Sequence, residues 1–94
     1  MVIAVCTLHL NIPSAFSLKQ KRQVVKSVST RLRNRFNISV AEVGEQAVWN
    51  EAVLAVVTVS SSRSYAHGLL MHVVEWVETN RLDCELVDFQ IEFI

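Results

Sequence analysis

Apolar residues occupy every even position from Val2 to Ile12 (Val2, Ala4, Cys6, Leu8, Leu10 and Ile12), alternating with Ile3, Val5, Thr7, His9 and Asn11. A period of two predicts a strand whose even positions face the core. Pro13 lacks an amide donor and ends it. Ser17 then stands three residues before Gln20, a capping-box spacing, and Leu18, Val25, Val28, Leu32 and Phe36 follow at helical intervals. Together they predict a helix over 17–36, closed by Asn37 in a left-handed conformation. A second strand is expected over 38–43, a turn over 44–50 and a third strand over 51–60. The third strand, EAVLAVVTVS, is apolar on both faces and belongs in the middle of a sheet. Ser60 to Ser62 offer caps for a second helix over 62–79, buried along Ala66, Leu69, Leu70, Val73, Trp76 and Val77 and closed by Asn80. Val87, Phe89, Ile91 and Phe93 alternate with Asp88, Gln90 and Glu92, which gives a last strand with one wet face.

The order β-α-β-β-α-β with right-handed crossovers predicts an α+β, ferredoxin-like sandwich. Its four-stranded antiparallel sheet would run in the order 4-1-3-2, with both helices on one face and one domain over 1–94. Helices on one side cannot cover the other. Ile3 and Val5 are expected on that open face beside Ala52, Leu54 and Val56, so a homodimer interface is expected at Ile3, Val5, Leu54 and Val56. Trp49 is expected to cap the core end, with an exposed anchor in an interface as the alternative. Gly68, inside a helix at a cost of about 1 kcal/mol against Ala, suggests close backbone packing.

Composition fits this picture: the hydrophobic fraction is 51%, with one Pro and two Gly in 94 residues. A formal net charge of zero argues against a generic nucleic-acid coat, but the distribution is uneven. The stretch SLKQKRQVVKSVSTRLRNRF, residues 17–36, holds seven of the nine Lys/Arg and none of the nine Asp/Glu. Beyond residue 41, two basic residues face all nine acidic ones. No basic leader precedes the first apolar run, polar residues interrupt it, and no run of about 18 apolar residues exists, so a signal peptide or membrane span is not expected. Cys6 and Cys84 read as reduced, packed thiols, and a cytoplasmic location follows.

With Val25 set at zero on a helical wheel, Lys19, Arg22, Lys26 and Arg33 fall between about 60° and 120°, a stripe roughly 21 Å long. Lys21, Arg31 and Arg35 are assigned to the other flank, and Gln20, Gln23, Ser27, Thr30 and Asn34 to the ridge between. No Glu–Lys pair four apart can form, and cations in the first turns oppose the helix dipole. All seven cations are candidate nucleic-acid contacts, with RNA phosphates as ligand. A protein surface carrying acids such as Glu75, Glu78, Asp83 and Glu85, or a second copy of the chain, is an alternative partner. Plain solvation of long basic stems flanking an apolar stripe is another. No aromatic residue interleaves the basic ones, so backbone or shape contacts are expected rather than base stacking or sequence-specific DNA reading.

Constellations for catalysis are missing. His67 and His72 are five apart and do not share a helix face, and Cys6, His9 and Cys84 have no metal-ligand spacing. Cys6 and His9 differ by an odd number and point to opposite sheet faces, which rules against a nucleophile–base pair. His9 is expected opposite Asp88, Gln90 or Glu92. No Gly-rich phosphate loop or nucleophile elbow exists. A non-catalytic protein without cofactor or metal is expected.

SLKQKRQVVKS, followed by RLRNRFNISVAEV, Trp49 and AVLAVVTVS, closely resembles the YlxP-like family of uncharacterised bacterial proteins, a domain of unknown function. The likeness is most specific over Ser17–Val43 and covers essentially the whole chain. It departs at Gln20, where Glu is more typical, and at the Gly44-Glu45-Gln46 turn, where Asp is. The resemblance implies a ferredoxin-like fold and a bacterial cytosolic protein. Genes of that family neighbour those for translation initiation and ribosome maturation, which implies a link to ribosome assembly or RNA. It supplies no catalytic residue; what it carries over is the basic helix.

Overall fold

The alternating N-terminal segment forms β1 (Val2–Asn11), which lies between two antiparallel neighbours, β3 (Glu51–Ser60) and β4 (Glu85–Phe93). The edge strand β2 (Ser39–Val43) pairs with β3. In this computed structural model residues 1–44, 46–80 and 82–94 are described; Glu45, one of the turn positions that depart from the family pattern, lies outside them. The strand order is β2-β3-β1-β4, which counted from the β4 edge is 4-1-3-2. Two helices complete the α+β sandwich, α1 (Leu18–Arg35) along β2 and α2 (Arg63–Thr79) over β1, β3 and β4.

Both helices cover the same side of the sheet. Ala4, Cys6, Leu8 and Leu10 of β1 are buried in one cluster with Val28 and Leu32 of α1 and with Ala66, Leu70, Val73, Val74 and Val77 of α2. Antiparallel residues directly opposite each other point to the same face. Leu10 faces Ala52, Leu8 faces Leu54 and Cys6 faces Val56. Ala52, Leu54 and Val56 therefore lie under the helices, and Leu54 and Val56 are 0% exposed. This corrects their expected place in an open-face interface. Because β3 is apolar on both faces, alternation alone could not set its parity; the register does. Ile3 and Val5 do lie on the uncovered face, opposite Val59 and Val57, and Val53 and Ala55 complete an apolar lane there.

Helix ends follow their side chains. Ser17 Oγ accepts the Gln20 amide at 3.1 Å, and Gln20 Oε1 accepts the Phe16 amide at 2.6 Å, a capping box reaching one residue further back than usual. At the other end the Phe36 amide donates to the Leu32 carbonyl in an extended conformation. No non-glycine residue among those described has a positive φ, so Asn37 is not the left-handed cap expected; its carbonyl instead accepts the Thr58 hydroxyl at 3.2 Å. Ser62 caps α2 and Asn80 closes it, donating to the Trp76 carbonyl. Nothing lies within 4 Å of a Cβ built on Gly68, so the expected close packing is not there. Strand β4 begins two residues before its alternation shows, because the register slips between His9 and Leu10 and leaves Val87 as an exposed bulge. His9 stands opposite Asp88.

Candidate nucleic-acid interface

Of the seven cations on α1, six are exposed: Lys19, Arg22, Lys26, Arg31, Arg33 and Arg35. Among the described residues none of these six has a carboxylate within ion-pair distance. Arg33 reaches the Val40 carbonyl of β2 at 3.5 Å, too long to hold it. The flank bearing Lys19, Arg22, Lys26 and Arg33 thus runs along the β2 side. Arg31 and Arg35 face α2 instead, where they line a groove of about 480 Å³ with Asn34 and Trp76. An adjoining hollow of about 380 Å³ adds His72 and Glu75 beside Arg35.

Lys21 departs from its expected role. It is 1% exposed, and its ammonium donates two hydrogen bonds and stands against one carboxylate. Nζ donates to the Gln46 carbonyl at 3.1 Å and to the Val48 carbonyl at 2.5 Å, and stands 2.9 Å from Glu42 Oε2. That oxygen receives no well-directed hydrogen bond, so the Glu42 contact is an ion pair held by charge rather than by geometry. Lys21 is a tether between α1 and the β2–β3 turn, closed to a phosphate by its burial. The wheel contains the signal: at about −40° from Val25, Lys21 falls between Val28 at about −60° and Leu32 at about −20°. The successive steps Lys21, Val25, Val28 and Leu32 are four, three and four, which is the core stripe itself.

Three carboxylates lie on the far edge of the sheet. Glu85, Asp88 and Glu92 pair with Asn11, His9 and Val5 of β1, which places them on the uncovered sheet face and the edge furthest from β2. The flank of Lys19, Arg22, Lys26 and Arg33 is therefore kept apart from the acidic β4 edge, while Glu75 stands beside Arg35 and Asp83 near Arg31. Within α1 the two ends differ. Arg33 and Arg35 occupy the last turn, where a cation suits the helix dipole, whereas the first turn holds no acid and Lys19 and Arg22 stand near the positive end.

Two exposed aromatic residues stand at that same end. Trp49 is 45% exposed and is not a cap on the core. It packs edge-to-face on Phe16, itself 71% exposed, with ring centroids 6.4 Å apart. The pairing joins residues 33 positions apart, across the loop before α1 and the turn before β3, and no local pattern reveals it.

Nothing in the described residues assembles a metal site: no group of three or more His, Cys, Asp or Glu converges. Cys6 is buried on the helix side and His9 lies on the open face. Burial pushes the thiols of Cys6 and Cys84 up to about 11, with Asp83 adding to the rise at Cys84, so neither is an activated nucleophile. No described helix is long and apolar enough to cross a membrane.

Comparison with known proteins places this arrangement in a family. Over 65 residues the chain is 38% identical to the uncharacterised protein YlxP of Bacillus subtilis (strain 168), an alignment spanning 69% of this chain and 71% of the relative. Residues 3–91 match a family described as "Protein of unknown function (DUF503)", a span that takes in both helices and runs from β1 into β4. The basic helix is thus part of the family's own domain rather than an addition to it, and the chain belongs to the DUF503 family.

Proposed function

We propose that this protein is a non-catalytic RNA-binding module, acting on the ribosome or its RNA, in which the exposed cations of α1 meet phosphates. The observation that carries the reading is the unneutralised row Lys19, Arg22, Lys26 and Arg33, kept apart from the acidic β4 edge. A polyanion gains from several cations at once and from the amides at a helix start, and it offsets the dipole cost of Lys19 and Arg22. The contact expected is with the RNA backbone, whose phosphates are what such a row of cations meets. Titrating ribosomal RNA or ribosomal subunits at several salt concentrations tests it. Binding should weaken steeply with salt, and Lys19→Glu/Arg22→Glu/Lys26→Glu should lower both the affinity and the logarithmic salt slope, the latter by about 2–3. Unchanged binding in that triple variant removes the proposal.

A second reading, compatible with the first, is self-association through the uncovered sheet face, which leaves α1 free on the outside of a homodimer. It rests on the lane Ile3, Val5, Val53, Ala55, Val57 and Val59, of which Val59 is 60% exposed. Measurement of mass across concentration should show a dimer that Val59→Glu dissociates with the fold intact. Val56→Glu is no probe of that face, since it buries a carboxylate under the helices. In the competing version an acidic protein surface, rather than RNA, meets α1; the salt titration with RNA separates the two.

A further inference from the structure

We propose that the Phe16–Trp49 pair is a stacking platform for unpaired bases, so that the ligand of this face is single-stranded RNA whose backbone continues along Lys19, Arg22 and Lys26. The inference rests on the RNA reading above and narrows it from any phosphate-bearing shape to a strand with free bases.

The argument starts from what the two rings forgo. Large aromatic side chains gain most from leaving water, yet Phe16 and Trp49 are 71% and 45% exposed. Both are nevertheless held. The Phe16 amide is fixed by Gln20 Oε1 at 2.6 Å, and the carbonyl of Val48, the residue before Trp49, is fixed by the buried Lys21 ammonium at 2.5 Å. Two consecutive residues of α1 thus fasten the two chain segments that carry the rings. Buried Lys21, unable to bind an anion itself, positions an aromatic surface at the start of the anion-facing flank.

The geometry suits a planar ligand. The rings meet at 79°, and an edge-to-face pair occupies at most one face of one ring, which leaves other π faces open. Phe16 precedes Lys19 by three residues, a span of at most about 10 Å, so a base on the rings leaves its phosphate within reach of Lys19 and Arg22. Aromatic faces beside a positively charged track form the common arrangement for single strands, whose bases are free to stack in any sequence. Duplex RNA, with its bases already stacked, can use the cations but not the rings.

The test measures binding of fluorescein-labelled oligouridylate and oligoadenylate, and of an RNA duplex of equal length, by anisotropy. Trp49→Leu keeps apolar bulk but removes the π face; Trp49→Tyr keeps a ring. Trp49→Leu and Phe16→Leu should each weaken single-strand binding about 5- to 150-fold, the range for losing one stacked base, with the salt slope unchanged. Trp49→Tyr should retain most of the affinity, and duplex binding should not move. Single-strand affinity that withstands both Leu variants, or that falls in parallel with duplex affinity, overturns the platform. If the Lys19/Arg22/Lys26 charge reversal still abolishes binding in that case, the RNA reading survives without it. No binding to any of the three probes overturns both.

Discussion

Replacing Lys21 by Met tests the tether directly. The substitution keeps the length of an unbranched stem in the core but removes a charge and three donors. Removing one partner of a buried ion pair costs about 3–5 kcal/mol, because the other charge is left uncompensated. Glu42 is 16% exposed, so water reaches it in part, and the expected loss sits at the low end, about 3 kcal/mol. A domain of this length has a folding free energy of about 5–14 kcal/mol, so the change is large. In urea, with a slope of about 1–1.5 kcal/mol/M, the midpoint should fall by about 2 M or more. Thermal unfolding followed by circular dichroism should show a Tm lower by more than about 12 °C. Adding Glu42→Gln to Lys21→Met removes the stranded charge, and because the Gln46 carbonyl sits at an exposed turn, the double variant should recover to within about 1.5 kcal/mol of the parent. A loss below about 1 kcal/mol in the single variant, with RNA affinity reduced, would refute the reasoning: Lys21 would then be an exposed anion contact, as the charge pattern alone suggests.

Gly68→Ala should stabilise the fold by about 0.5–1 kcal/mol, since the added methyl meets nothing within 4 Å and helix propensity favours Ala; a loss of stability by urea titration would show a hidden packing constraint. The two thiols should resist alkylation. With each pKa near 11 against an ordinary 9, the thiolate population at pH 8 is about 100-fold below that of an unperturbed thiol, and iodoacetamide labelling followed by mass spectrometry should be slower by that factor or more until denaturant is added. The sign of the linkage follows. A folded-state pKa above the unfolded one favours the protonated native form, so the thiols' contribution is complete below pH 9 and is lost as pH rises toward 11.

Much of this molecule is legible along the chain. The boundaries of β3, the Ser17 and Ser62 caps and the closure at Asn80 agree with local chemistry, because each depends on residues within a few positions of one another. What differs from the local pattern has one physical origin, contacts between residues far apart in the chain. Leu54 and Val56 lie on the face opposite to the expected one, because a strand apolar on both sides carries no parity and only its pairing with β1 supplies one. Charge alone groups Lys21 with the surface cations, although its position on the wheel matches Val28 and Leu32; a buried ammonium is tolerable only with acceptors waiting, and those come from residues 21 to 27 positions away. The neighbour that holds Trp49 at the surface, Phe16, is 33 positions away, beyond the reach of any local pattern.

By itself the sequence determined the elements, their order and the concentration of positive charge on one helix, since periodicity, capping and composition act over short range. The tertiary structure decided which cations are free, which face of the sheet is uncovered and that two distant aromatic residues meet beside the basic flank. Those outcomes depend on register and on which polar groups converge on a buried ammonium, and such long-range pairings have no local signature.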